Sequence, residues 1–408
     1  MILLNYYLSD QSHSRILKFI LNVRQYILFF IIDYLIGKVI RMFKKFILYF
    51  TQVLVSIIIL FLLTDCSDKS TNNNDNFSPD TTGMKFEPPD GECLFILGQA
   101  DEEEMDAYIE TIDSSRYPAA FAFYTSLSVS AAQNDMAKYK AYLEKYPYTA
   151  LQLAIWTGEK QWGDPGYYLD DILNGQHDSQ ISVLANACKS INRPIFIRFG
   201  YEFDGSHNAY PPDKYVAAYK YFVDKMHTYD VTNVAYVWHS WGVSPYYGTN
   251  DYPQYYPDLP DSVEMNQALW YPGDDYVDWV AMSIFGTGWG DLSTNTVVQW
   301  LINFAVERDK PVMLAETAAI KTSGQSDPNW VIPNTVWFDN VFALINNNNS
   351  VKAFTYINVD WEAANPSSTW GDTRIQAAPF YIIDYWRNKI APFVHADEEF
   401  YSIINYEE

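Results

Sequence analysis

Basic side chains are scarce: 27 Lys and Arg stand against 50 Asp and Glu, a net charge of −23 at pH 7. Residues 1–65 hold seven of the basic and three of the acidic groups, so the remainder is more acidic still. That balance argues against nucleic acid as a partner, because a phosphate backbone is bound by Lys and Arg displacing its counterions. A neutral or cationic polymer suits such a surface better. Cysteine is scarcer yet: Cys66, Cys93 and Cys188 have no metal-ligand spacing and form no disulfide framework. The six His are scattered, without the paired spacing of a zinc site, so neither a metal nor another cofactor is expected.

What is abundant is aromatic. Phe, Trp and Tyr make up 17% of the chain, within a hydrophobic content of 49% and a charged content of 19%. The hydrophobic share marks a globular chain, and most of the rings serve an ordinary core. The surplus of Trp and Tyr points to a carbohydrate surface, since the flat C–H faces of sugar rings pack on aromatic faces.

The amino terminus reads as an address. From Met42, the sequence MFKKFILYFTQVLVSIIILFLLTDC places two lysines before a long apolar run that ends at Cys66, the layout of an export signal. After Cys66 follows SDKSTNNNDNFSPDTTG, a polar tether with no packing capacity. The arrangement resembles a bacterial lipoprotein signal, which implies acylation of Cys66 and anchoring in the cell envelope, on the outer membrane or its periplasmic face. Asp65 departs from that motif, which places Gly, Ala or Ser there. An uncleaved membrane span is the alternative, because the run is long enough to cross a bilayer. Met42 reads as the true start, with residues 1–41 upstream of it; a two-span anchor is the other reading. The expected organisation is a signal or membrane segment at 1–65, a tether at 66–90, a catalytic domain at 91–395 and an acidic tail at 396–408.

Beyond residue 90, β-rich apolar runs alternate with amphipathic stretches, the pattern of parallel strands joined by helical crossovers. Eight runs are found: LFILGQA (94–100), AAFAFYTS (119–126), TALQLAIW (149–156), PIFIRFGYE (194–202), NVAYVWHSW (233–241), VDWVAMSIF (277–285), PVMLAETA (311–318) and VKAFTYINVDW (351–361). Eight strands with intervening helices predict an α/β fold of the (β/α)8 TIM-barrel type. An open doubly wound sheet is the alternative, but no Gly-rich phosphate loop opens the first crossover. The runs turn polar at their carboxyl ends, at Gln99, Trp156, Glu202, His239, Glu316 and Asp360, and that end of a barrel is where catalytic residues gather.

Glu202 ends run four and Glu316 ends run seven. A carboxylate after a strictly apolar strand is costly to bury and calls for a reason. Ion pairs with Arg198 or Lys310 would be a structural one. Glycoside hydrolysis supplies another: one carboxyl group protonates the leaving oxygen while a second attacks the anomeric carbon or activates water.

Arg198 and Glu202 in RFGYEFDG, the segment YPGDDYVDWVAMSIFG at 271–286, and Glu316 in KPVMLAET resemble glycoside hydrolase family 26, which includes β-mannanases, lichenases and β-1,3-xylanases. The resemblance spans roughly residues 90–390. It implies that Glu202 is the general acid/base and Glu316 the nucleophile of a retaining, endo-acting glycanase, with β-mannan as the first substrate expected and β-1,3-xylan, lichenan or an algal galactan as alternatives. Two positions depart from the mannanase pattern. Tyr201 precedes the acid/base where those enzymes carry His, and Phe285 stands where a Tyr bonds the nucleophile. A phenyl ring cannot donate that bond, so either another donor such as Tyr201 replaces it or the activity differs.

Further substrate contacts are expected from Arg198, Tyr201, Trp156, His239, Trp241, Phe285, Trp289, Trp361 and Trp370. Arg198, four residues before Glu202, would point to the same side of a strand and either hold a carboxylate ionised or bind a sugar hydroxyl. Asp178 reads as a helix N-cap, and DEEEMD after run one as an acidic first helical turn. The expected partner is a polysaccharide, met by a monomer. A non-catalytic glycan-binding lipoprotein on the same barrel is the competing class.

Overall fold

The computed structural model describes residues 84–157, 167–205, 207, 208, 210–242, 267–285, 290–321 and 336–407. The chain divides into Met1–Pro79 and Asp80–Glu408, and all the described residues lie in the second unit. The apolar segment before Cys66, Cys66 itself and Trp289 lie outside them.

All eight runs form strands: β1 (Leu94–Gly98), β2 (Ala120–Ser126), β3 (Ala150–Trp156), β4 (Ile195–Phe199), β5 (Val234–Ser240), β6 (Trp279–Phe285), β7 (Val312–Ala318) and β8 (Val351–Ile357). Neighbours pair in parallel in that order, and β8 closes on β1 through Leu94 opposite Ala353. Helices α1 (Glu102–Ile112), α2 (Val129–Leu143), α3 (Tyr167–Leu173), α4 (Asp178–Ile191), α5 (Pro212–Thr228), α6 (Thr296–Val306), α7 (Val336–Asn347) and α8 (Phe380–Ile390) follow the strands. This is the (β/α)8 barrel.

The strands look uniformly apolar because each face has its own partner. Phe121, Phe123, Ile195, Ile197 and Phe199 pack outward on the helices. Ala120, Ala122, Ala235, Val237, Ala281 and Ala353 alternate with the outward set and fill the barrel interior. Alanines recur there because inward side chains from eight strands compete for a narrow space. Gly98 is the extreme case: a Cβ at that position would sit 2.5 Å from the Ala122 Cβ.

Capping follows the sequence in part. Asp101 accepts from the Glu104 amide at 2.9 Å, and Glu102, Glu103 and Glu104 occupy the first turn of α1, where negative charge meets the helix dipole. Asp178 is not the N-cap of α4, since that position belongs to His177. Asp178 instead accepts from the Tyr221 hydroxyl at 2.7 Å and pairs with Lys225 at 2.5 Å, tying α4 to α5.

The folded unit reaches beyond 91–395 at both ends. Phe86 is buried edge-on against Phe196 at 5.6 Å and Tyr406 at 5.7 Å. Phe400 and Ile404 are buried in the same cluster, so the segment read as an acidic tail closes the amino-terminal end of the barrel. Its acidic residues stay outside while its apolar ones pack, and burying one such ring contributes about 2 kcal/mol.

His395 anchors this closure. It pairs with Pro118 in a two-residue antiparallel bridge, and its Nδ1 lies 3.0 Å from Arg116 and 2.7 Å from the Phe393 carbonyl. Burial pushes its pKa down to about 4. The unfolded chain takes up this proton near the ordinary value of about 6.5 and the native chain only near 4, so stability present above pH 6.5 is lost as pH falls toward 4. The difference corresponds to about 3 kcal/mol. Urea unfolding between pH 7 and pH 4 is expected to show a shallower decline in His395→Gln than in the unaltered chain; parallel declines would refute the assignment.

Candidate active site

Above the apolar layer of the barrel lies a polar one. Gln152 on β3 donates to Thr355 Oγ1 on β8 at 3.2 Å. One step nearer the mouth, Tyr124, Arg198, His239, Ser283 and Glu316 converge from five strands. Tyr124, His239 and Ser283 follow Ala122, Val237 and Ala281 in the inward register of their strands, and Arg198 follows Phe196.

Glu316 does not follow that rule. On β7, Met313 and Ala315 pack inward, and strict alternation would turn Glu316 out toward the helices. The ladder with β6 shifts there: Leu314 pairs with Met282 and Glu316 with Ser283, so β7 carries one extra residue. A bulge re-aims a side chain in this way, and it swings the Glu316 carboxyl into the barrel. Its Oε1 accepts from Arg198 Nη1 at 2.5 Å and from the Tyr124 hydroxyl at 2.6 Å.

Glu202 arrives by another route. Strand β4 ends at Phe199, three residues earlier than run four suggests, and the chain turns through Gly200 (φ 55°) and Glu202 (φ 50°). At Gly200 a Cβ would meet the Tyr215 ring at 2.9 Å. A left-handed non-glycine residue such as Glu202 costs on the order of 1 kcal/mol and persists only when its surroundings hold it. Here Phe203 stacks on Trp238 with centroids 4.5 Å apart, and Asp204 accepts from Ser240 Oγ at 2.6 Å and from the Trp241 amide at 2.5 Å. Asn208 donates to the carbonyls of Tyr201 and Glu202 at 2.8 and 3.0 Å. The turn thus presents the Glu202 carboxyl to Ser283 Oγ, 2.6 Å from Oε1, and to His207 Nε2, 2.8 Å from Oε2. Because Ser283 is the cross-strand neighbour of Glu316, the two carboxyl groups share one chamber.

Their settings differ. Glu202 is 8% exposed, and burial holds its pKa above the ordinary carboxylate range, with repulsion from Glu316 adding to the effect and the bonds from His207 and Ser283 opposing it. Glu316 is 5% exposed and faces a guanidinium and a phenol. Burial and the neighbouring Glu316 push the Tyr124 hydroxyl well above its usual range, so it remains a donor. One carboxyl group suited to carry a proton beside one held by fixed donors is the arrangement for acid catalysis and nucleophilic attack in one cleft.

Several expected contacts are relocated. Arg198 is fully buried and bonded to Glu316, not to Glu202, because the chain has left the strand before Glu202. It has no surface to offer a sugar, and neither has His239, also fully buried, whose Nδ1 lies 3.1 Å from Arg198 and whose Nε2 lies 3.0 Å from Ser283. The donor that makes up for Phe285 is Tyr124; Tyr201 instead packs edge-on against Tyr124 at 5.2 Å, and the guanidinium lies 5.6 and 5.7 Å from the two rings. Tyr124 and Ser283 stand two residues short of their strands' ends, where the polar run-ends do not mark them, although the inward period of those strands carries both. His207 lies in a loop, where no period marks it.

Aromatic rings flank the chamber. Trp156 at the end of β3 is 36% exposed. Across the mouth, Phe285, Trp361 and Trp370 form a cluster with Trp370 5.2 Å from Phe285 and 4.9 Å from Trp361, and Trp370 is 37% exposed. Trp241, half-buried, lies edge-on to His207 at 5.2 Å. Asp360 caps a short helical turn and pairs with Arg374, which accounts for its polarity at the end of run eight. Among the described residues no group of three or more His, Cys, Asp or Glu is placed to hold a metal ion.

Arg198 and Glu316 compensate each other's buried charge, so removing one alone strands the other. Arg198→Met is expected to cost about 3–5 kcal/mol of stability, and adding Glu316→Gln to recover much of it. Urea denaturation of the single and double variants checks this, and strictly additive losses would contradict it.

No protein-family profile matches the sequence. The chain is 25% identical over 357 residues to the β-1,3-xylanase TXYA of a Vibrio species, covering 78% of this chain and 69% of the relative. It is 25% identical over 266 residues to a β-1,3-xylanase of an Alcaligenes species, covering 58% of this chain and about half of the relative, 52%. Among solved structures, the family 26 β-mannanase BoMan26A of Bacteroides ovatus superposes with a TM-score of 0.52 at 15% identity, over 76% of this chain and 92% of that one. The endo-β-1,4-mannanase of Cellulomonas fimi, as a double mutant, gives 0.53 at 16% identity over 76% and 73%. The chain is therefore built on the barrel fold of the glycoside hydrolase family 26 mannanases.

Proposed function

We propose that this chain is a retaining, endo-acting hydrolase of a β-linked polysaccharide, with Glu202 as general acid/base and Glu316 as nucleophile. The observation that carries the reading is the placement of two buried carboxyl groups in one chamber with opposite partners. Glu316 Oε1 is held by Arg198 and Tyr124, while Glu202 is biased by burial toward its protonated form.

In the first step Glu316 attacks the anomeric carbon, the glycosidic bond breaks, and Glu202 gives its proton to the departing oxygen. A glycosyl ester forms on Glu316, whose negative charge is thereby lost. The repulsion that helps keep Glu202 protonated disappears with that charge, so Glu202 becomes a better base at the moment when it must take a proton from water. Water then attacks the anomeric carbon, the ester bond breaks, and both carboxyl groups return to their starting states.

Of the substrates left open by the sequence, β-1,3-xylan is favoured by the two relatives of that activity, and β-mannan by the shared fold. Tyr124 supplies the donor that Phe285 cannot, so that departure removes nothing from the chemistry. Trp156 on one side and the Trp361 and Trp370 pair on the other suit stacking of successive sugar rings.

Reducing-end release is to be measured on β-1,3-xylan, mannan, glucomannan, lichenan and algal galactan. Oligosaccharides of mixed length from β-1,3-xylan or mannan are expected, and Glu202→Gln or Glu316→Gln should lower the rate by about a thousandfold or more. Wild-type turnover by both variants, or polysaccharide binding without any cleavage, would overturn the assignment and favour the glycan-binding class.

We further propose that Cys66 carries a lipid that holds the enzyme in the cell envelope, on the strength of the apolar run and polar tether around it. Radiolabelled palmitate should enter the unaltered chain and not Cys66→Ser. Equal labelling, or a mature chain still beginning before Cys66, would refute it.

A further inference from the structure

The hydrogen bonds that run from Arg198 to Glu202 can point in one direction only. A guanidinium donates from every nitrogen, so His239 Nδ1, 3.1 Å from Arg198 Nη1, is the acceptor. Burial and the Arg198 charge hold that imidazole well below the usual histidine range. It is neutral, and its one proton sits on Nε2, 3.0 Å from Ser283 Oγ. Ser283 accepts there and turns its own hydrogen to Glu202 Oε1 at 2.6 Å. The serine hydrogen reaches Oε1 in either protonation state, since Arg198 cannot reverse the chain, and the carbonyl oxygen of the neutral carboxyl group, a better acceptor than its hydroxyl oxygen, belongs at this shorter bond. Oε1 is thus committed to accepting, whether the carboxyl group is charged or neutral.

The acid proton therefore belongs on Oε2, and Oε2 faces His207 Nε2 at 2.8 Å. The loop is shaped for that contact. At Gly205 a Cβ would stand 2.3 Å from the His207 Cε1, so the imidazole can fold back on Glu202 only because residue 205 has no side chain. The edge-on packing of Trp241 holds the other side of the ring. Among the described residues, the other groups facing Glu202 are Glu316 on β7, Arg198 on β4, His239 on β5, Ser283 on β6 and Tyr201 beside it, and of these Ser283 hydrogen-bonds the carboxyl group.

We propose that His207 is the positioning residue of the acid/base, selecting Oε2 as the oxygen that carries and delivers the proton. Its Nε2–H donates to Oε2, along a lone pair that the acid proton leaves free in the neutral group and that persists in the ionised one, so the bond survives both half-reactions while the Ser283 bond stays unchanged. The proton leaves Oε2 for the glycosidic oxygen and is regained there from water. This inference rests on the assignment of Glu202 as acid/base.

Two readouts in the full chain test it. The first needs no glycan: the Glu202 carboxyl carbon is followed by 13C NMR across a pH titration in glutamate-labelled protein, its signal identified by loss in Glu202→Gln. His207→Ala should raise the titration midpoint, because a donor to the carboxylate is lost, while His207→Gln, whose amide can donate, should stay near the unaltered chain. His207 is partly exposed, so its truncation leaves the core intact. An unchanged midpoint in His207→Ala would overturn the proposal.

The second readout compares phenyl and 2,4-dinitrophenyl β-glycosides of the disaccharide unit of whichever polysaccharide is cleaved. With the phenyl glycoside, which needs its leaving oxygen protonated, kcat/KM should fall about ten- to hundredfold in His207→Ala, part of the general-acid contribution. With the dinitrophenyl glycoside, which departs without a proton, it should change by less than about threefold. Equal losses on both would make His207 a substrate contact and overturn the positioning role. If the unaltered chain cleaves neither glycoside, the functional assignment is at fault, and the titration still decides the inference.

Discussion

The arrangement depends on one buried charge. Arg198 sits inside the barrel with no exposed surface, in a medium where an uncompensated guanidinium would be costly by several kcal/mol. Its counter-charge is Glu316, and the pair fixes in turn the neutral His239, the direction of the Ser283 hydroxyl and the Glu202 oxygen that accepts from it. Nε and Nη2 of Arg198 find no hydrogen-bond partner among the described residues; the guanidinium lies instead near the rings of Tyr124 and Tyr201, a contact that partly offsets desolvation.

Both carboxyl groups are placed by local departures from regular structure. Glu316 points inward because β7 carries a bulge, and Glu202 reaches the chamber because the turn after β4 adopts left-handed backbone at two positions. Each departure is held by packing outside the site. Phe203 stacked on Trp238, and Asp204 bonded to the end of β5, over-determine the turn. Strain of this kind concentrates where geometry must be unusual and is compensated by the surrounding scaffold.

That distinction explains what the sequence discloses. The eight strands were legible because each is a short apolar run bounded by polar ends, and strands buried on both faces look alike throughout. Glu202 and Glu316 stood out as carboxylates where apolar strands end. Their partners were harder to see. The spacing of Arg198 and Glu202 suggested a shared strand face, but β4 stops at Phe199 and Arg198 binds Glu316. His239 and Arg198 carry polar heads at the barrel mouth yet are fully enclosed, because depth inside a barrel depends on strand stagger, which one strand's pattern does not encode. Tyr124 was hidden among ordinary aromatics, though its register after Ala120 and Ala122 marks it as inward. The closing segment at the carboxyl end read as a tail because its charge is conspicuous and its buried Phe400 and Ile404 are few.

In the proposed reaction Glu316 forms a bond to sugar while Glu202 moves the proton. That division of labour requires two inversions at the anomeric carbon and so retains its configuration, whereas a pair of carboxyl groups that merely activated water would invert it. Proton NMR of the first-formed reducing ends, recorded before mutarotation on whichever of the tested polysaccharides is cleaved, reads the outcome directly. The β-anomer is expected to appear first; initial accumulation of the α-anomer would contradict a covalent intermediate on Glu316.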